Sequence, residues 1–182
     1  MHRMQPAAVA AALALSSSHA FAGIVATYDV GAGTSTSTIQ VDFSNGNGYV
    51  INLSWTEPMN GFQAMQAVVA AIPGSQLQYD VYPFGTFLTG IGLGADYEYG
   101  NGDLWPVENY WHYWTEVGGQ WEMAMFGASD RMLTDGSRDA WVFGSSAVPQ
   151  AVPAPGAGVL LMLATRTLRP RARRRRAHTA RG

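Results

Sequence analysis

The sequence predicts a small α+β domain, one mixed β-sheet with a single packed helix, carried between an apolar N-terminal segment and an arginine-rich C-terminal tail. Three observations predict it. Runs in which apolar and polar residues alternate, the period of a half-buried strand, lie on both sides of one segment with helical spacing. All six tryptophans fall between Trp55 and Trp141, which puts an aromatic core inside that stretch. The charge is segregated: the 13 acids lie between Asp29 and Asp139 with only Arg131 and Arg138 among them, a net of −11 for residues 23–146, whereas residues 147–182 hold eight arginines and no acid.

Composition excludes several classes of function. With 47% hydrophobic and 13% charged residues the chain is too apolar to be disordered. The absence of cysteine rules out a disulfide scaffold, a thiol nucleophile and a zinc–thiolate site. An acidic body argues against nucleic acid as a partner, because a folded reader of nucleic acid presents its own positive surface.

Residues 1–22 contain Arg3, an apolar run from Ala7 to Leu15 and then Ala20-Phe21-Ala22, the small-x-small pattern cut by signal peptidase. Cleavage after Ala22 leaves Gly23 as the first mature residue. In the body, residues 23–146, Ile39, Val41 and Phe43 alternate with polar residues, and Tyr49, Ile51, Leu53 and Trp55 share one face of a second strand. A five-residue loop, Ser44 to Gly48, pairs 43 with 49, 41 with 51 and 39 with 53, which brings the apolar sets together. A two-residue Asn45-Gly46 turn would instead set Ile39 against Asn52. Next comes a helix with Asn60 as N-cap, Gln63 at the capping-box position and Phe62, Met65, Val69 and Ile72 on its inner face, ended by Pro73-Gly74. Strand-like runs follow at Leu77–Tyr82 and Phe87–Leu93, then a long glycine-broken loop over 94–109. Tyr110 to Phe126 reads as a hairpin turning at Gly118-Gly119, with 116 opposite 121, 114 opposite 123 and 112 opposite 125. This places Tyr110, His112, Trp114, Trp121, Met123 and Met125 on the core side and leaves Trp111, Tyr113 and Phe126 outside. A turn at Asp135-Gly136 leads into a closing strand near Ala140–Phe143.

The helix "NGFQAMQAV", the aromatic strand "YWHYWTE" and the closing "LTDGSRDAWVF" occur in an order that resembles the transcobalamin-like C-terminal domain. The resemblance implies a β-grasp-like module over residues 23–146, of a kind also found in bacterial surface proteins. In transcobalamin that domain works beside a larger helical one, so no cofactor is expected from the resemblance alone.

After the body, prolines 149, 153 and 155 predict a stiff, extended spacer over residues 147–155. Residues 156–182 hold the apolar run from Ala157 and then the arginines, with Arg173, Arg174, Arg175 and Arg176 consecutive. Ala157 to Leu168 makes about 18 Å of helix against roughly 30 Å of hydrocarbon. The run is therefore too short to be a secure span, although an arginine cluster behind it acts as a stop signal at the inner membrane. Val152-Pro153-Ala154-Pro155-Gly156, the apolar run and the terminal arginines resemble the PEP-CTERM sorting tail, with alanine where that motif carries glutamate and Arg166 breaking the apolar run early. The resemblance implies an exosortase-like membrane protease as partner, transient anchoring in the inner membrane, and delivery to the cell surface or extracellular matrix.

Catalytic chemistry finds little support in the body. His112 is its sole histidine and reads as a buried structural residue, and one histidine without soft co-ligands makes no zinc site. Gly90-Ile91-Gly92-Leu93-Gly94 lacks the G-x-G-x-x-G spacing and a following helix for phosphate. Asp96, Glu98, Asp103 and Glu108, like Asp130, Asp135 and Asp139, lack calcium-loop spacing. No metal is expected and no catalytic residue is assigned. Aromatic density carries the functional expectation: Trp105, Trp111, Tyr113, Tyr97 and Tyr99 are candidates for a ligand-stacking platform, while Trp55, Trp114, Trp121 and Trp141 are expected in the core. The function expected is an exported, surface-associated, non-enzymatic domain for adhesion or ligand capture. The alternative is a carbohydrate-active module that binds or hydrolyses extracellular polysaccharide through loop 94–109.

Overall fold

The computed structural model describes residues 23–83 and 85–152. The expected signal segment with Ala20 and Ala22, and the tail from Pro153 through Gly156 to Arg173–Arg176, lie outside the described residues. In chain order the elements are β1 (Gly23–Gly31), β2 (Ser35–Asp42), β3 (Asn47–Trp55), α1 (Gly61–Ala71), β4 (Gln76–Tyr82), β5 (Gly85–Leu93), β6 (Asp96–Tyr99), β7 (Trp111–Val117), β8 (Gln120–Met123) and β9 (Ser137–Phe143). They form a six-stranded sheet, β1-β3-β2-β9-β7-β8, and a separate three-stranded sheet, β4-β5-β6.

This is a β-rich, two-sheet fold, 51% strand and 9% helical over the described residues, and it corrects the α+β expectation and the β-grasp arrangement that went with it. Two causes account for the difference. The runs at Leu77–Leu93 pair with each other and with β6, a local hairpin pairing that builds its own sheet and does not extend the first. Meanwhile Gly23–Gly31, a stretch given no element from sequence, pairs in parallel with β3. The turn from β1 to β2 passes over the end of β3, and only glycine fits there. At Gly31 (φ +77°) a Cβ would lie 2.3 Å from the Ser54 carbonyl oxygen, and at Gly33 2.1 Å from that of Trp55.

The β2–β3 hairpin has its predicted inner face but a different register. Val41 pairs with Tyr49 and Ile39 with Ile51, two residues away from the predicted pairing. The loop is Ser44-Asn45-Gly46, closed by Gly46 N–H donating to the Phe43 carbonyl (3.0 Å), with Gly46 at φ +91°. A slip of two preserves which side chains face inward, so Ile39, Val41, Phe43, Tyr49, Ile51, Leu53 and Trp55 all reach the core.

For β7–β8 the outcome is reversed. The register is as predicted, Glu116 opposite Trp121 and Trp114 opposite Met123, but the predicted sides are exchanged. Trp111, 4% exposed, and Tyr113 pack on the main core, whereas Met125 is 93% exposed. β8 stops at Met123, so 112 and 125 do not pair. Trp114 joins Ala140 and Val142 in a small second cluster that Trp121 covers only in part, with Arg138 over the Trp121 ring at 5.3 Å. β9 decides the matter, because its Trp141 meets Tyr113 with ring centres 4.7 Å apart on the inner side.

Helix α1 carries the predicted capping box, with Gln63 N–H donating to Asn60 Oδ1 (2.8 Å) and Asn60 N–H to Gln63 Oε1 (2.9 Å). Its buried stripe is Gly61, Ala64, Met65 and Val68, rotated from the predicted Phe62–Met65–Val69 face. The rotation follows from how its first turn docks. Gly61 and Phe62 N–H groups donate to the carbonyls of Arg131 and Ala128, and a Cβ on Gly61 would stand 2.6 Å from the Tyr113 hydroxyl. That hydroxyl donates to Asp139 Oδ2 (2.6 Å), and Arg131 Nε lies 3.5 Å from Asp139 Oδ1. Burial raises the pKa of both Asp139 and Tyr113 above their ordinary values.

The exchange of sides makes a stability prediction. Trp111→Ala and Trp141→Ala should each cost about 3–5 kcal/mol in urea unfolding, whereas the partly buried Trp121 should cost about 1–2 kcal/mol when truncated. Equal losses at Trp111 and Trp121 would mean that the β7–β8 hairpin turns its other side inward.

Candidate functional site

The stretch 94–109, expected as one loop, divides into a tight turn at Gly94 (φ +59°), strand β6 and a closed loop. Alternation along β6 separates its acids from its tyrosines. On one side, Asp96 accepts from the Tyr49 hydroxyl (2.6 Å), Asn45 Nδ2 (2.7 Å) and Asn47 Nδ2 (2.9 Å). Glu98 accepts from Ser44 N–H (3.0 Å) and from the Ser44 hydroxyl. Both carboxylates therefore hold the tip of the β2–β3 hairpin. The Tyr49 hydroxyl, with the two asparagine amides, keeps Asp96 below its ordinary 3.8, while burial and then the bond to Asp96 push Tyr49 up to about 12.

The other side carries Tyr97 and Tyr99, 41% and 50% exposed, opposite Gly92 and Gly90 of β5. A Cβ on Gly92 would lie 3.1 Å from Tyr97 Cδ2, and one on Gly90 3.0 Å from the Tyr97 hydroxyl. The ring thus runs along β5 in the space two absent side chains leave. Across β5, Gln76 and Gln78 pair with the same glycines and are exposed. The result is a flat aromatic surface beside two side-chain amides, a chemistry that stacks on the C–H face of a sugar and bonds its hydroxyls.

The remaining candidates separate from this face. Trp105 is 82% exposed in the loop beyond β6. Trp111 and Tyr113, expected to be exposed in a platform with it, line a cavity of about 250 Å³ between β5 and β7, together with Leu88, Phe126 and Trp141. A coplanar Trp105–Trp111 pair does not form, since one ring is outside and the other is in the core. His112 is buried, as expected. Its Nε2 lies 3.5 Å from Glu108 Oε2, the Tyr110 ring packs against it tilted by 34° with centres 4.2 Å apart, and burial lowers its pKa against the opposing pull of Glu108. Among the described residues no three His, Asp or Glu groups converge to hold a metal ion. No described helix is long and apolar enough to cross a membrane. Sequence reasoning missed Gln76 and Gln78 and weighed Gly90 and Gly92 only as a phosphate loop; the available signal was Gly-x-Gly in one strand-like run followed shortly by Tyr-x-Tyr.

No family model and no curated protein matches the chain. Among solved structures it is similar to a protein of Ruminococcus gnavus ATCC 29149 that is named only provisionally as metal-binding, at 14% identity and a TM-score of 0.46, over 63% of this chain and 100% of that one.

The hairpin-tip contacts predict a pH dependence. Because the folded pKa of Asp96 lies below 3.8, its contribution to stability is complete above that value and is lost as pH falls through the lowered one. Asp42 and Asp139, raised by burial, act in the opposite sense. Comparing Asp96→Asn with the parent between about pH 2 and 7 isolates the first effect. The variant should be less stable at neutral pH and should show a flatter acid limb; parallel profiles would mean that the ionised carboxylate does not hold the tip.

Proposed function

We propose that this chain is an exported, surface-associated, non-enzymatic domain that captures extracellular polysaccharide on the tyrosine face of β4–β5–β6. One observation carries the reading: Tyr97 lies exposed along Gly90 and Gly92 with Tyr99 beside it and the Gln76 and Gln78 amides across the strand. Binding without turnover is favoured because Asp96 and Glu98 are bonded to the Ser44–Asn47 tip on the opposite side of β6, so that Asp80, beyond Gln78 on β4, is not faced by either of them across the tyrosine surface. Hydrolysis by paired carboxylates needs two acids facing each other across the bound sugar. Export and delivery rest on the signal-like segment, with signal peptidase cutting after Ala22, and on the PEP-CTERM-like tail, which an exosortase-like protease would remove near Pro153-Ala154-Pro155.

The test is binding of the full chain to soluble polysaccharides, including the matrix of its own host, by affinity electrophoresis. Tyr97→Ala and Tyr99→Ala should each weaken binding by about tenfold, the worth of one aromatic stacking contact. Retained affinity in the double variant, with its fold intact by circular dichroism, would refute the tyrosine face as the binding surface.

A further inference from the structure

Loop 101–109 is built to hold apolar side chains outward. Asn109 is its hub: its carbonyl accepts from Gly102 N–H (3.1 Å), its Oδ1 from Leu104 N–H (3.3 Å), and its Nδ2 donates to Asp103 (2.9 Å). Val107 N–H closes the tip on the Leu104 carbonyl (2.8 Å). At the base Gly100 is obligatory, since a Cβ there would lie 2.0 Å from the Asn109 carbonyl oxygen. The polar groups of the loop thus bond inward, and Leu104, Trp105 and Val107 stand out, 57%, 82% and 60% exposed. Three adjacent apolar side chains in solvent call for an explanation.

The position of the loop in the fold supplies one. β2 and β9 end, and β1, β3 and β7 begin, at the same end of the large sheet, as the pairings Gly23–Asn47, Asp42–Val142 and Trp111–Phe143 require. The loop leads into β7 there. The exit segment after β9 is bonded to its base, with Gly144 N–H on the Tyr110 carbonyl (3.0 Å) and Ser146 N–H on Glu108 Oε2 (3.0 Å). The exit segment is then fixed at Gln150, whose N–H donates to Asp42 Oδ2 (2.7 Å) and whose Nε2 donates to the Gly46 carbonyl (3.2 Å). Gly23 N–H donates to that same carbonyl (3.0 Å). Both routes out of the domain, toward the leader and toward the apolar run with its arginines, therefore leave from the end that carries the loop. Five residue steps separate Val152 from Ala157, at most about 18 Å of extended chain.

We infer that Leu104-Trp105-Pro106-Val107 is a membrane-interface wedge that rests in the outer headgroup layer while the tail engages the bilayer. The inference rests on the reading of the tail as a membrane-engaging segment. A lipid surface fits better than a sugar because leucine and valine flank the tryptophan and offer no hydrogen bonds, while an amphipathic indole suits the headgroup level. The acids beside the tip accept hydrogen bonds from the loop and the exit segment, Asp103 from Asn109 and Glu108 from Ser146.

Because the chain has no cysteine, one introduced thiol gives a unique probe site. Full-length Leu104→Cys and Val117→Cys, each carrying an NBD fluorophore, are floated with vesicles of three parts phosphatidylethanolamine to one part phosphatidylglycerol. Val117 is 53% exposed beside the turn at the opposite end of β7. The expected result is flotation of both proteins, with several-fold brighter, blue-shifted emission at 104 and none at 117, and a loss of about tenfold in partitioning on Trp105→Ala. Flotation with a dark probe at 104 overturns the wedge while leaving the tail reading intact. Failure of both proteins to float overturns the tail reading and the wedge with it. A probe at 104 that responds to soluble polysaccharide and not to vesicles also overturns the wedge, and assigns Trp105 to the sugar-binding surface.

Discussion

The tip of the β2–β3 hairpin is the constraint on which the rest of the arrangement depends. Its side chains satisfy Asp96 and Glu98 of β6, its Gly46 carbonyl takes the first strand's N–H and the exit segment's amide, and Asp42 just before it is buried against Gln40 and Gln150. The three-stranded sheet is amphipathic, with Leu88, Ile91 and Leu93 inward, and the bonds between the tip and β6 tie it to the larger sheet beside that shared core. Burying a carboxylate such as Asp42 is costly, and it is tolerated because Gln40 of its own strand and Gln150 of the exit segment both donate to it.

A second polar node lies beneath the start of α1. Asp139, 1% exposed, ties Tyr113 and Arg131 together where β7, β9, the 128–131 turn and the helix meet. Removing one member would leave a buried charge without its donor, which costs more than the bond itself contributes. The node also explains why the site candidates on β7 are structural. Tyr113 spends its hydroxyl on Asp139, and Trp111 spends its ring on edge contacts with Phe43 and Phe143.

Local patterns were legible where one physical signal dominated. The helix cap, the turns at Gly118-Gly119 and Asp135-Gly136, and the inner face of Ile39–Phe43 follow from nearest-neighbour chemistry. What could not be read was decided at a distance. Both sides of β7 are aromatic, so only β9, more than twenty residues later, selects Trp111 and Tyr113 over His112 and Trp114 for the main core. Parity fixed which residues of the first hairpin turn inward, yet the choice of loop depended on Gly46 taking a positive φ. β1 was missed, although Ala26, Tyr28 and Val30 alternate with Thr27 and Asp29, because its partner lies beyond an intervening strand. Of the aromatic candidates, Tyr97, Tyr99 and Trp105 are exposed; their separation into a polar-flanked face and an apolar-flanked tip becomes visible only once β6 is paired with β5.

The hairpin tip also has a mechanical meaning. Were a ligand to pull on Tyr97 while the chain was held beyond Gln150, the load would enter β6, whose Asp96 and Glu98 are bonded to Ser44, Asn45 and Asn47, and would pass through Gly46 and Asp42 to Gln150. That path crosses the molecule at one end and runs through side-chain bonds, with most of the large sheet's ladder out of the line of tension.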